Sequence, residues 1–323
     1  TQIANILAPS LRMERPSNIF LYGKTGTGKT LTARYTTDQI LKVAKEREVP
    51  LKVIYLNCKL SRVADTEYRL VAQLARDLGK EIPPTGLPTD EVYKIFYASL
   101  DAEKCLLLLI LDEIDQLVKK AGDEIIYNLT RINAELKNCQ ISVIGISNDL
   151  LFTDTLDPRV KSSLSEEEVV FPPYNALQLQ EILRDRSKAA FKESAVGVGV
   201  IEKCAAYAAR EHGDARRALE LLRVAGEIAE REGGSTLKID HIDKAEEKIE
   251  RDRVVDIVRT QPKQQQVTLL SIINLSKNRS DSIYTGEVYD VYKQCCDKIG
   301  LRPLTQRRVS DVIAELDMLG IIN

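Results

Sequence analysis

The stretch Gly23-Lys24-Thr25-Gly26-Thr27-Gly28-Lys29-Thr30 restricts what this chain can fold into more than any other. It fits the pattern G-x-x-x-x-G-K-[ST], in which glycines let successive backbone N–H groups turn inward around phosphate oxygens. The apolar run Asn18-Ile19-Phe20-Leu21-Tyr22 before it predicts a buried strand, and Leu31 to Lys45 after it predicts a helix. The N-terminus of that helix adds partial positive charge to the cradle. Gly23, Thr25, Gly26, Thr27, Gly28 and Leu31 are the expected nucleotide contacts. Lys29 is expected at the β- and γ-phosphates, and Thr30 offers its hydroxyl to Mg²⁺. A chance glycine-rich turn is the alternative, and it leaves the flanking strand and helix unaccounted for.

A length of 323 residues suggests two or three domains, and 44% apolar residues suffice for ordinary cores. The net charge of −2 gives no global positive field, so any nucleic-acid contact has to come from a local patch. Six cysteines contain no C-x-x-C pair, and there are two histidines. Neither a zinc site nor a disulfide framework is implied, and a reducing cytoplasm is the default expectation. The longest apolar run, at residues 105–111, is far too short to span a membrane, and no secretory signal opens the sequence.

Ile3, Ile6, Leu7 and Leu11 have helical spacing. Residues 51–56 predict a second strand. Two helices follow, at about 66–78 and 90–100, separated by the turn-rich 82–88. A doubly wound sheet needs one crossover helix here, so the second helix and its loop read as an insertion, functional or merely tolerated. Leu106 to Leu111 is apolar without alternation, as in the centre of a parallel sheet, and ends in Asp112-Glu113. Carboxylates at that end sit where such sheets bind ligands: Asp112 is expected to hold Mg²⁺ and Glu113 to polarise the attacking water. A solvated acid pair is the alternative, and Asp115 reads as structural. A helix from about Asp123 to Leu136 leads to a strand at 141–147 ending in Asn148, an amide able to orient water or read a γ-phosphate. With a short strand at 169–171 the α/β layer is complete.

From Tyr174 the strands stop. Asn175 with Gln178 resembles a capping box, and helices follow at about 200–211 and 214–232. Arg216 falls in the first turn of the latter, where a cation opposes the helix dipole unless an anion faces it, and a nucleotide phosphate is a candidate. Arg217 reads as its solvated neighbour. A long charged helix runs from Asp240 to about Thr260. Three shorter ones follow, near 267–277, at 286–299 capped by Thr285, and at 306–319 capped by Thr305. In the last, Val309, Val312, Ile313 and Leu316 form an apolar stripe. Arg307, Ser310, Asp311 and Ala314 face away from it, which suits a helix-turn-helix or a small protein-binding bundle. Gly320-Ile321-Ile322 predicts the start of a wing strand. The expected domains are 1–173, 174–250 and 251–323.

Taken together, GKTGTGKT at 23–30, LDEID at 111–115, LDPRVKSSL at 156–164, EHGDARRAL at 211–219 and TQRRVSDVIAELDMLGI at 305–321 resemble the archaeal origin-recognition/Cdc-type replication initiators of the AAA+ class. The resemblance implies an α/β P-loop NTPase with a five-stranded parallel sheet, an all-α lid and a C-terminal winged-helix domain. It implies ATP or ADP with Mg²⁺, slow hydrolysis acting as a switch, Asn148 as first sensor, Arg216 as second, and Arg159 as an arginine finger for a neighbouring subunit. Implied partners are double-stranded origin DNA, the replicative helicase and paralogous initiator subunits, in a nucleoid-associated setting with no membrane. Expected DNA contacts are Thr305, Arg307, Arg308 and Ser310, with Thr85 and Gly86 of the insertion. Two rival readings are a hexameric branch-migration motor and an ATPase signalling switch that gates protein partners.

Overall fold

The computed structural model describes residues 2–59, 66–83, 86–277 and 283–322. Five parallel strands form one sheet: β1 (Ile19–Gly23), β2 (Leu51–Asn57), β3 (Cys105–Asp112), β4 (Cys139–Ser147) and β5 (Glu167–Phe171), in the order β2-β3-β4-β1-β5. The register pairs Tyr22 with Ser147 and Asn57 with Asp112, so the carboxyl ends of β1, β2, β3 and β4 finish along one edge. All eight residues of β3 are buried, as expected for a strand covered on both faces. Their side chains nonetheless alternate. Leu107, Leu109 and Leu111 pack on one face with Phe20, Ile54 and Leu56, while Leu106, Leu108 and Ile110 pack on the other with Leu21, Ile144 and Ile146.

The second of those faces is covered by α1 (Gln2–Leu7), through Ile3 and Leu7, and by α2 (Lys29–Glu46), through Ala33, Ile40 and Ala44. The first is covered by α3 (Glu67–Asp77) and α4 (Thr89–Leu100), which pack on each other and bury Leu70, Leu74, Val92 and Phe96. The insertion helix is therefore part of the core. Thr66 caps α3 by accepting the Arg69 N–H.

The helix expected at 123–136 is α6 (Glu124–Arg131), continued by a 3-10 turn at Ile132–Ala134, and a further helix, α5 (Ile114–Ala121), stands before it. Sequence reading passed over α5 because it starts directly off β3, with no polar cap. Glu113 occupies the cap position in a left-handed conformation, φ 55°. After α7 (Pro158–Leu164) and β5 the chain becomes helical, with α8 (Ala176–Ala190), α9 (Val200–Glu211) and α10 (Ala215–Arg231). The capping box of α8 is present: Asn175 accepts the Gln178 N–H and Gln178 accepts the Asn175 N–H.

Residue contacts divide the chain into two compact units, residues 1–193 with 201–220, and 194–200 with 221–323. The second contains α11 (Ile239–Thr260), α12 (Lys263–Ser276), α13 (Thr285–Ile299) and α14 (Gln306–Met318). Val267, Tyr292, Cys296 and Val309 form one core of the last three helices, and Leu269, Val312 and Leu316 another. Thr285 lies within α13 rather than capping it, whereas Thr305 caps α14 and accepts the Arg308 N–H. The wing strand expected at 320–322 is not formed among the described residues. Instead Gly320, at φ 67°, and Ile321 close the end of α14 by donating to the Asp317 and Leu316 carbonyls, and Ile321 and Ile322 pack on the Leu316 cluster.

Candidate functional site

At the carboxyl edge of the sheet lies a cavity of about 650 Å³, within the first unit. Its floor is the glycine loop between β1 and α2, and its wall is Asp112 at the end of β3 and Glu113 after it, with Asn148 after β4. The opposite side is helical: Ile182, Asp185, Arg186 and Ala189 of α8, and Ala215, Arg216 and Leu219 of α10. Neighbouring strand ends thus bring together Lys29, Thr30, Asp112, Glu113 and Asn148, which stand far apart in sequence.

Gly26 (φ 72°) and Gly28 (φ 87°) take conformations that side chains rarely adopt. They are also crowded. A Cβ on Gly26 would meet Asp214 Oδ1 at 1.6 Å, and one on Gly28 would meet the Tyr174 hydroxyl at 2.5 Å. The Ala215 N–H donates to the Gly26 carbonyl at 3.2 Å, and Asp214 accepts the Arg216 N–H at 2.6 Å. The start of α10 is thereby tied to the glycine loop.

Lys29 is 4% exposed and donates to the Gly23 and Lys24 carbonyls, each at 2.8 Å. Burial lowers its pKa, Asp112 opposes that shift, and Arg216 adds to it. Thr27 closes the loop by donating to the Lys24 carbonyl at 2.9 Å, Thr25 is exposed, and Leu31 projects into the cavity. Asp112 Oδ2 accepts from Thr30 Oγ1 at 3.0 Å and from the Tyr55 hydroxyl at 2.7 Å, and Oδ1 accepts the Glu113 N–H at 3.0 Å. Glu113 lies 3.8 Å from the Lys59 ammonium. Asp115 is buried and accepts from Ser147 Oγ at 3.1 Å, consistent with a structural role. Lys29 and Arg216, the Thr30 hydroxyl, the Asp112 carboxylate and the glycine-loop N–H groups make up the set that a polyphosphate with Mg²⁺ requires, so the residues fit that ligand.

Other expected site residues lie elsewhere. Arg159 is exposed, pairs with Asp157 at 3.1 Å and has its guanidinium 5.6 Å from the Tyr127 ring centre; it does not line the cavity. Arg217 is paired with Glu211 at 3.1 Å and is mostly buried, where a solvated neighbour was expected. In the second unit Thr305, Arg307, Arg308 and Ser310 are exposed at the start of α14, and Arg308 stands 3.5 Å from both Asp311 and Glu315. Gly86 is exposed in a positive-φ turn, and Thr85 lies outside the described residues. Sequence reasoning missed Tyr55, Tyr174, Asp185 and Arg186. Tyr55 is the most constrained of them: burial and then its bond to Asp112 push the phenol up to about 12. Its place at the third position from the end of a sheet strand next to β3 was the available signal.

Residues 12–151 match a family model described as an AAA domain. Residues 180–247 match a Cdc6 AAA+ ATPase-type lid domain, and 256–323 the CDC6 C-terminal winged helix domain. An ORC1-type DNA replication protein of Thermococcus onnurineus is 56% identical over 99% of this chain and 78% of its own length. One from Pyrococcus abyssi is 54% identical over 99% and 77%. Among solved structures, the Aeropyrum pernix ORC1 protein in complex with DNA is 46% identical, with a TM-score of 0.77 over 99% of this chain and 82% of that one. Cdc6p from Pyrobaculum aerophilum, 21% identical with a TM-score of 0.65, shares the fold. No described helix is long and apolar enough to cross a membrane.

Proposed function

The chain belongs to the archaeal ORC1-type DNA replication proteins, AAA+ ATPases with a Cdc6-type lid and winged helix, and from that premise we propose that it is an ATP-dependent initiator that binds duplex origin DNA and helps to load the replicative helicase. The observation that carries the reading is the convergence of Lys29, Thr30, Asp112, Glu113 and Asn148 with Arg216 around one cavity.

Lys29 and Arg216 grip the polyphosphate of ATP or ADP, and Gly23 through Leu31 wrap it with backbone N–H groups. Thr30 and Asp112 hold Mg²⁺, which when bound neutralises charge on the phosphate oxygens. Glu113 takes the proton of the attacking water and Asn148 orients that water. Arg159 acts on the nucleotide of a neighbouring subunit, a paralogue or a second copy, so hydrolysis by one isolated chain is slow and serves as a switch. For DNA, Thr305 and Ser310 offer hydroxyls and Arg307 and Arg308 cations to the backbone of the duplex, and Thr85 and Gly86 of the insertion are further contacts. The support is the 46% identical relative solved with DNA and the exposure of the start of α14. The setting is the nucleoid.

Duplex-DNA binding titrated against salt, with ATP turnover measured with and without DNA, tests the proposal. Binding should weaken linearly in log–log salt, and Arg307→Ala should reduce the slope by about one. Arg308→Ala should reduce it less, because Asp311 and Glu315 already compensate that charge. Unchanged affinity and slope in both variants reject the α14 assignment. Fast DNA-stimulated hydrolysis points to a motor, and a complete lack of DNA affinity to a signalling switch.

A further inference from the structure

On the α2 face of the sheet, four side chains from three elements form a chain of contacts. Thr30 and Arg34 stand one turn apart on α2 and so share a helix face. Thr30 donates to Asp112 Oδ2, the Tyr55 hydroxyl donates to the same oxygen, and the Arg34 guanidinium lies 4.8 Å from the centre of the Tyr55 ring. Tyr55 pairs in register with Ile110, so Asp112 is its diagonal neighbour on the adjacent strand, two residues on and on the same face. The arrangement comes from β2 and β3 lying side by side, and no local motif encodes it.

We infer that Tyr55 is a positioning residue for Asp112: its hydroxyl fixes the carboxylate that, with Thr30, holds Mg²⁺. The inference rests on the metal-holding role proposed above. The three donors on Asp112 differ in what they can do. The Glu113 N–H is fixed by the backbone, and the Thr30 hydroxyl is itself offered to the metal. The Tyr55 hydroxyl is a side-chain donor with no metal role of its own, so its bond to Oδ2 persists when Thr30 turns away. Arg34 covers the ring and limits its tilt. Packing of the ring against the Leu21, Ile110 and Ile146 cluster would survive replacement by phenylalanine, so Tyr55→Phe isolates the hydroxyl.

The test is binding of a fluorescent ADP analogue to the full chain, with Mg²⁺ titrated in and a parallel measurement in EDTA, for wild type, Tyr55→Phe and Asp112→Asn. Tyr55→Phe should raise the half-saturating Mg²⁺ concentration about tenfold, the loss of one hydrogen bond to a charged acceptor. Its affinity in EDTA should match wild type, and its thermal midpoint should fall by only a few degrees, about the loss of one hydrogen bond. Asp112→Asn should abolish the Mg²⁺ dependence. A wild-type Mg²⁺ midpoint in Tyr55→Phe, beside a responsive Asp112→Asn, overturns the inference alone. An equal loss with and without Mg²⁺ also overturns it, since it marks general disruption. If Asp112→Asn keeps a wild-type Mg²⁺ dependence, the metal-holding role falls and the inference goes with it.

Discussion

Lys29 is the residue on which nucleotide affinity should depend most. A buried ammonium costs free energy unless anionic or strongly polar groups surround it, and here it has two carbonyl oxygens at 2.8 Å with Arg216 adding repulsion. Phosphate oxygens would add to the negative charge that Asp112 already sets against its burial. Lys29→Ala should therefore weaken ADP binding at least about a hundredfold, the range for a hydrogen-bonded charge pair, as read by titration with a fluorescent analogue. Glu113 has a different part. It sits in a left-handed conformation that costs about 1–2 kcal/mol in a side-chain-bearing residue, and the neighbouring folded elements hold it there. Glu113→Gln keeps the shape and removes the base, so it should bind ATP like wild type and turn it over about 10²–10⁴-fold more slowly. Normal turnover in a single-turnover assay would remove Glu113 from that role.

Among the elements, α8 matters most to the cavity outside the glycine loop, because Ile182, Asp185, Arg186 and Ala189 all come from it. Its first turn depends on the reciprocal bonds of Asn175 and Gln178, at 2.9 and 3.1 Å. Asn175→Ala should cost about 1 kcal/mol, measured as a lower urea midpoint, and should weaken ADP binding less than tenfold. An unchanged urea midpoint would show that tertiary contacts hold α8 without its cap. The cap, the phosphate loop and the Asp112-Glu113 strand end were legible in the sequence because each is a local device whose chemistry lies within a few neighbouring residues. Tyr55, Tyr174, Asp185 and Arg186 were not, since each reaches the cavity through tertiary packing. The short helix α5 was hidden because its start is imposed by the end of β3 rather than announced by a capping residue. Gly320-Ile321-Ile322 misled for the reverse reason: two β-branched residues after a glycine match a strand by propensity, but here they close a helix and pack on its core.

For the whole molecule, the proposed role of Arg159 in a neighbouring site sets how turnover should depend on assembly. Three cations, Lys29, Arg186 and Arg216, line the cavity, while Arg159 stands on the surface, 71% exposed and held by Asp157. An arginine supplied from outside contributes about 10³–10⁵-fold in other phosphate-loop enzymes. If Arg159 serves a neighbour, turnover per chain should be low and constant when the protein is dilute, and should rise with concentration or with crowding on duplex DNA. Arg159→Ala should bind ADP like wild type and remain at the dilute rate throughout. The decisive measurement mixes two impaired chains. Arg159→Ala binds nucleotide but offers no finger, and Lys29→Ala offers a finger but binds nucleotide poorly, so a mixture should hydrolyse ATP above the dilute rate, which neither exceeds alone. Restoration requires that one chain complete the site of another, because neither variant carries both parts. Without restoration, at concentrations where wild-type turnover has risen, Arg159 does not act between chains, and Asp157 and Tyr127 are then its whole account.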